Sequence, residues 1–339
     1  MNWTYRRISK HSRVPAFALT IFTLFVLTAG AVPPLQAQTE LSGIPAPAVA
    51  HNTWTSGAPV PTAMFEPAVG VLASHIYVVG GEGSGGPISD TQIYSPATNT
   101  WSTGVSLPTA LNGGMGAVVK NILYVIGGST DGSGTQTNAV WAYSSKTKKW
   151  SGKAAMPTAR QDAAIVVEKN IIYVVGGYNH AAGGYLTTVE SYNPATNVWT
   201  EEAPLLLAKG EIVAGLVGTT IVVPDGYTGS EFTGDNEGYN AATNTWTSLK
   251  SDPTARNSVC GGTIGSLMYA AGGADSLQQP ALNVMESFKL SKNTWTTLAP
   301  MPQAALAPGA AVYKKQLYCF GGWTAVGGSV LNNVQIYQP

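Results

Sequence analysis

Charge is scarce in this chain. Asp, Glu, Lys and Arg make up 11% of its 339 residues, and the two signs balance at 18 each. Disorder needs low hydrophobicity and high net charge, and a chain that is 44% hydrophobic with no net charge does not fit it. Nor is there an excess of basic residues to neutralise a phosphate backbone, so nucleic acid is not an expected partner. Cysteine occurs twice, at Cys260 and Cys319, and histidine four times. No Gly-x-Ser-x-Gly elbow is present, and no serine stands out with a histidine partner. After the first forty residues, no apolar run is long enough to cross a membrane.

What the chain has in quantity is Gly (39) and Pro (21), which suits an all-β protein with many tight turns. Its first residues form a separate module. Arg6, Arg7, Lys10 and Arg13 precede the apolar stretch 16–31, and Leu35-Gln36-Ala37 reads as a small-residue cleavage signal. That order predicts a signal peptide over residues 1–37 and an exported protein, extracellular or in the periplasm or cell envelope, with a retained membrane anchor as the alternative. Residues 38–49 read as a Pro/Ala-rich linker. Loss of the leader takes four basic residues and leaves 14 against 18 acidic ones, a net charge of about −4.

The remainder repeats. Trp54, Trp101, Trp150, Trp199, Trp246 and Trp295 recur every 47 or 49 residues. Paired glycines keep step at Gly80-Gly81, Gly127-Gly128, Gly176-Gly177, Gly272-Gly273 and Gly321-Gly322, with Asp225-Gly226 filling the sixth slot. Tyr94, Tyr143, Tyr192, Tyr239 and Phe288 each stand seven residues before a repeat tryptophan. Each unit reads as four short strands, the second an apolar run such as Ile171–Val175, suited to burial on both faces. Four strands per unit of this period indicate propeller blades. The glycines end strands, and no helix follows them to make a nucleotide loop, so no cofactor is expected.

The double glycine, the tyrosine and the tryptophan seven residues on resemble the Kelch repeat over about residues 50–339. The resemblance implies a six-bladed β-propeller of four antiparallel strands per blade. The fourth unit departs from the pattern at Val222, Pro224 and Asp225, which predicts local distortion there. Joining Pro339 to Ala50 gives Tyr-Gln-Pro-Ala-His-Asn-Thr-Trp, in register with Tyr94–Trp101. The strand around Trp54 is therefore expected to complete the last blade and close the ring. The cysteines fall in strands of neighbouring blades, and two separate buried thiols are the simpler expectation, with a disulfide as the alternative once the chain is exported.

Antiparallel strands put the second-to-third-strand loops and the inter-blade connections on one face. That face carries the long loops, the usual place for binding. Aligning the units brings Arg160, Lys209 and Arg256 to the mouth of the central channel on successive blades, where Met64, Leu111 and Ala305 occupy the other three. Asp162 and Glu211 stand two places on, and Asn112, Gln161 and Asn257 fall between. Tyr178, His180, Tyr227 and Trp323 begin neighbouring loops. In Kelch domains, basic residues at this place often contact an anionic partner. The competing expectation is internal pairing, Arg160 with Asp162 or Glu211.

The leading expectation is an exported binding module that recognises a protein segment or a glycan with an anionic or strongly polar end. The rival is a sugar-active enzyme, an acidic-sugar anomerase or epimerase of the kind the resemblance admits, using Arg160, Asp162, Glu211 and Arg256 as acids and bases. A purely structural surface protein is the third. His51, His75 and His180 fall on different parts of the repeat, so no metal centre is expected. Glu231, Asp235 and Tyr239 resemble an iron-binding run of plant specifier proteins, but Tyr239 fills the regular repeat slot and the third ligand is missing.

Overall fold

A computed structural model describes residues 51–132 and 134–339; the expected signal peptide and linker lie outside them. The described chain is a propeller of six four-stranded antiparallel sheets. In five of them the strands run from the axis outward in chain order, and the sixth takes its outermost strand from the start of the described chain. The third blade is typical: Ala164–Glu168, Ile171–Val175, Val189–Asn193 and Val198–Glu202. Two short hairpins, Glu82–Gly83 with Gly86–Pro87 and Tyr178–Asn179 with Gly184–Tyr185, decorate the long-loop face. No helix among the described residues is long and apolar enough to cross a membrane.

The apolar second strands explain where the core lies. Four successive residues of each are buried on both faces, as in Ile172–Val175. The core is thus six layers, each between two adjacent blades. Ile126, Val140 and Met156 of the second blade, for example, meet Ile172, Val174 and Tyr192 of the third. The repeat residues pin these layers. Each of the six tryptophans donates its indole N–H to a backbone carbonyl of the preceding blade, Trp199 to Ala154 at 2.9 Å and Trp246 to Ala203 at 2.8 Å among them. The repeat tyrosine gives its hydroxyl to an asparagine in the following turn, as Tyr192 does to Asn197 at 2.6 Å. That asparagine oxygen also takes the Ala154 N–H at 2.9 Å, tying the turn to the blade before.

The double glycine is forced by the neighbouring blade. Gly127 has φ +63, and a Cβ there would lie 2.5 Å from the Arg160 carbonyl oxygen. Gly128 donates its N–H to that same oxygen at 2.9 Å. A side chain at the first position would push the two blades apart. The fourth blade, expected to be distorted, keeps all four strands. Its inner strand shortens to Gly215–Val217, and Asp225 takes the left-handed conformation at φ +62.

The ring closes as the sequence indicated. Thr53–Gly57 pairs antiparallel with Val334–Gln338, and Trp54 faces Tyr337 as Trp101 faces Tyr94. The cysteines correct an expectation. Cys260, on the inner strand of the fifth blade, and Cys319, on the second strand of the sixth, form a disulfide rather than two thiols. Adjacent blades crowd together near the axis, where these two Cα atoms are 5.8 Å apart.

Candidate functional site

Each blade enters its inner strand through one residue with positive φ. These are Glu66 (+52), Gly113 (+60), Asp162 (+54), Glu211 (+56), Ser258 (+54) and Ala307 (+53). Their peptide groups join into a closed ring about the axis. Gly113 N–H donates to Glu66 at 3.1 Å, Asp162 to Gly113 at 2.9 Å, and Glu211 to Asp162 at 2.7 Å. Ser258 to Glu211, Ala307 to Ser258 and Glu66 to Ala307 follow at 2.8 Å each. Every backbone polar group at this constriction is satisfied by the next blade. The side chains are left to line the channel, a cavity of about 220 Å³ floored by Glu66, Asp162, Glu211 and Ser258. Below, it continues between apolar walls that include Val69, Val118, Ile165 and Val312.

The three carboxylates converge, and no lysine or arginine is among the described residues lining this cavity. Burial pushes the Glu66 carboxyl well above its usual range, and the charges of Asp162 and Glu211 add to the effect. Asp162 is raised to about 7, by burial first and by Glu211 second. Glu211 is raised by burial, against three donors that favour its charged form. Those donors are the Tyr185 hydroxyl at 2.7 Å, the Ser258 hydroxyl at 3.1 Å and the Asn257 amide. Asn112 donates to both Glu66 and Glu82 at 2.9 Å, and Gln161 donates to Asp162 at 2.8 Å. The expected asparagines and glutamine are thus at the site, as the donors that hold its carboxylates.

The expected basic residues are not. Arg160, Lys209 and Arg256 are each 0% exposed and point into their own blades. Arg160 Nη2 lies 2.5 Å from Glu190, and its Nη1 donates to the Gly176 and Thr188 carbonyls at 3.0 and 2.7 Å. Lys209 Nζ is 3.0 Å from Asp235 and 3.7 Å from Glu237. Arg256 meets Glu286 at 3.0 Å, Asp252 at 3.2 Å and Asp225 at 3.7 Å. Internal pairing therefore holds, but neither Asp162 nor Glu211 is the partner. A signal for it lay within the repeat. The residue two before the repeat aromatic is Glu190, Glu237 or Glu286 in the three blades with a basic residue, and Gln92, Trp141 or Gln335 in the others. The ionisable side chains lining the axial cavity are therefore acidic, while the three basic ones are paired inside their blades.

The loop residues divide into two groups. Tyr178, Tyr185, Tyr227 and Phe232 form a row with ring centroids 5.1, 5.5 and 4.8 Å apart. His180 is exposed beside it, its Nδ1 3.4 Å from the Tyr178 hydroxyl. Trp323 stacks on Phe65 at 3.9 Å across the sixth and first blades, in a cluster with Ala274, Ala281 and Leu306. On the adjoining loops, Leu277 is 55% and Val326 50% exposed, and a bridge from Pro280 to Ala325 joins them. Tyr185 was missed because it sits inside a loop that has no repeat register; Glu82 was missed although it follows the double glycine at the same repeat position as Tyr178, Tyr227 and Trp323. Glu231, Asp235 and Tyr239 do not assemble: Glu231 is exposed, Asp235 holds Lys209, and the Tyr239 hydroxyl bonds Asn244 and Glu202.

Comparison with known families agrees with this architecture. Residues 48–205 match the KLHDC2/KLHL20/DRC7 Kelch-repeats domain, and residues 255–302 match the Kelch motif. No curated protein matches the chain.

Proposed function

The chain belongs to the Kelch-repeat β-propeller family, and we propose that it is an exported, non-catalytic module that binds a protein segment on its long-loop face. The carrying observation is the adjoining pair Leu277 and Val326, both at least half exposed on loops of the same face. Exposed apolar side chains rimmed by polar ones mark interaction surfaces. Beside them, Trp323, backed by the buried Phe65, offers an aromatic anchor, and Glu82 with the axial carboxylates offers acceptors. The partner this surface suits has an apolar side chain next to a cationic or hydroxyl-bearing group. Export is supported by the leader and by the Cys260–Cys319 disulfide, a bond that persists in oxidising compartments.

Glycan binding is the second reading, favoured by the row Tyr178–Tyr185–Tyr227, whose rings could face a sugar while carboxylates take its hydroxyls. The anomerase reading loses its basic members, since Arg160 and Arg256 are committed to Glu190, Glu286 and Asp252. A displayed peptide library, a glycan array and an NMR mutarotation assay, each run on the wild type and on Leu277→Asp/Val326→Asp, separate the three. Peptide selection lost in the double variant supports the proposal. Glycan binding that survives the double variant, or fast anomer exchange, rejects it.

A further inference from the structure

The opposite face has a different chemistry. The inner turns there, between first and second strands, carry Lys120, Lys169, Lys314 and Lys315. The outer turns, between third and fourth strands, carry Lys146, Lys148 and Lys292. All seven are exposed. The one described acidic side chain at this end, Glu168, is 6% exposed and already 3.2 Å from Lys169. The other described acids lie along the strands or on the long-loop half. Among the described residues, none of the other six lysines makes an ion pair. The protein's near-neutral total therefore hides a strong separation of charge, with one end of the propeller almost purely basic.

We propose that this short-turn face docks on an anionic phospholipid bilayer. Its shape points to a plane rather than a strand-like polymer. Every inner turn has only two residues beyond its strands, such as Lys120-Asn121 and Lys169-Asn170, both left-handed. Such tight hairpins raise no ridge, and between the second and third blades they border a recess of about 370 Å³ with Lys120 and Lys169 among its lining residues. The lysines stand on the second, third, fifth and sixth blades, on both sides of the axis. A linear polyanion needs a continuous track, whereas a bilayer meets all sectors of a disc at once. Flexible lysines near an anionic surface each contribute about fivefold to partitioning, and salt screens the effect.

The test uses the propeller, whose closure and inter-blade core are complete within residues 51–339. It is sedimented with vesicles of phosphatidylcholine alone and of phosphatidylcholine with phosphatidylglycerol, at low, physiological and high salt. Binding is expected only to the anionic vesicles and should fall steeply with salt. The quadruple change of Lys120, Lys169, Lys314 and Lys315 to Gln should weaken it by several hundredfold. The control Lys153→Gln/Lys250→Gln, away from this face, should bind like wild type. Both variants should melt with the wild type, since none of the changed side chains is buried. Equal binding to neutral vesicles, or undiminished binding by the quadruple variant, overturns the proposal. So does salt-sensitive self-association, or capture by polyphosphate, without vesicle binding; those outcomes assign the face to a second copy or to a soluble polyanion.

Discussion

Replacing Arg160 by Met should cost about 3–5 kcal/mol of stability, the penalty for leaving one partner of a buried ion pair alone. Arg160 is fully buried, and Glu190 is 2% exposed. Without the guanidinium, Glu190 keeps the Thr158 hydroxyl at 3.0 Å and the Thr158 backbone N–H, the Gly176 carbonyl loses its Arg160 donor, and the Thr188 carbonyl keeps only the Gly176 N–H at 3.0 Å. The first blade shows how the same slots are filled without charge. There Met64 is buried, and Gln92 accepts the Thr62 N–H at 2.8 Å while donating to its carbonyl at 3.3 Å. Arg160→Met with Glu190→Gln copies that solution, and most of the loss should be recovered. Urea unfolding of the wild type, the two single variants and the double variant gives the coupling energy directly. Burial already holds the Glu190 carboxyl above its usual value, and removal of Arg160 raises it further. The single variant's deficit should therefore shrink as the pH falls and Glu190 becomes neutral. A folded Arg160→Met that loses less than about 1 kcal/mol would refute the assignment of these residues to the interior, because such small effects belong to exposed pairs.

Other consequences are as direct. Asp162 is raised to about 7 and Asp252 to about 9, with Glu66 and Glu211 also raised. A carboxyl raised on folding stabilises at low pH and loses that contribution as pH climbs through its folded value. The melting temperature should fall between pH 6 and pH 9, and Asp162→Asn with Glu211→Gln should flatten the lower part of that decline. Changing both cysteines to Ser should cost up to about 4 kcal/mol in denaturant titration, from a closed loop of 59 residues; a variant midpoint equal to that of the oxidised wild type would remove any structural role for the bond. Deleting residues 51–57 should destabilise the whole propeller, because it strips the pairing to Val334–Gln338 and the Trp54 bond to Ala299. A wild-type calorimetric transition in that deletion would show that the ring does not need its closing strand.

The fold was legible because a repeat displays its own alignment. Trp199, Tyr192 and the Gly176-Gly177 pair meet the same neighbours as their counterparts in other blades, so one unit explains all six. The closing strand was legible for the same reason, since His51–Trp54 supplies the end of an incomplete unit. The axial carboxylates were also within reach, because Glu66, Asp162 and Glu211 share one repeat position. The direction of Arg160 was not. Two residues apart in an extended strand share a face, and that parity would aim Arg160 and Asp162 together. The positive φ at Asp162 breaks it, turning Asp162 to the axis and Arg160 into the blade.

By itself, then, the sequence determined the number of blades, the strands, the closure and which faces carry long loops and lysines. All of these follow from local periodicity and chain connectivity. Only the tertiary structure decided the sign of the charge at the axis, the Cys260–Cys319 bond and the gathering of Phe65 with Trp323. Each depends on how close neighbouring blades come and where side chains point at a left-handed turn. Those distances are set by the closed ring, not by any one repeat.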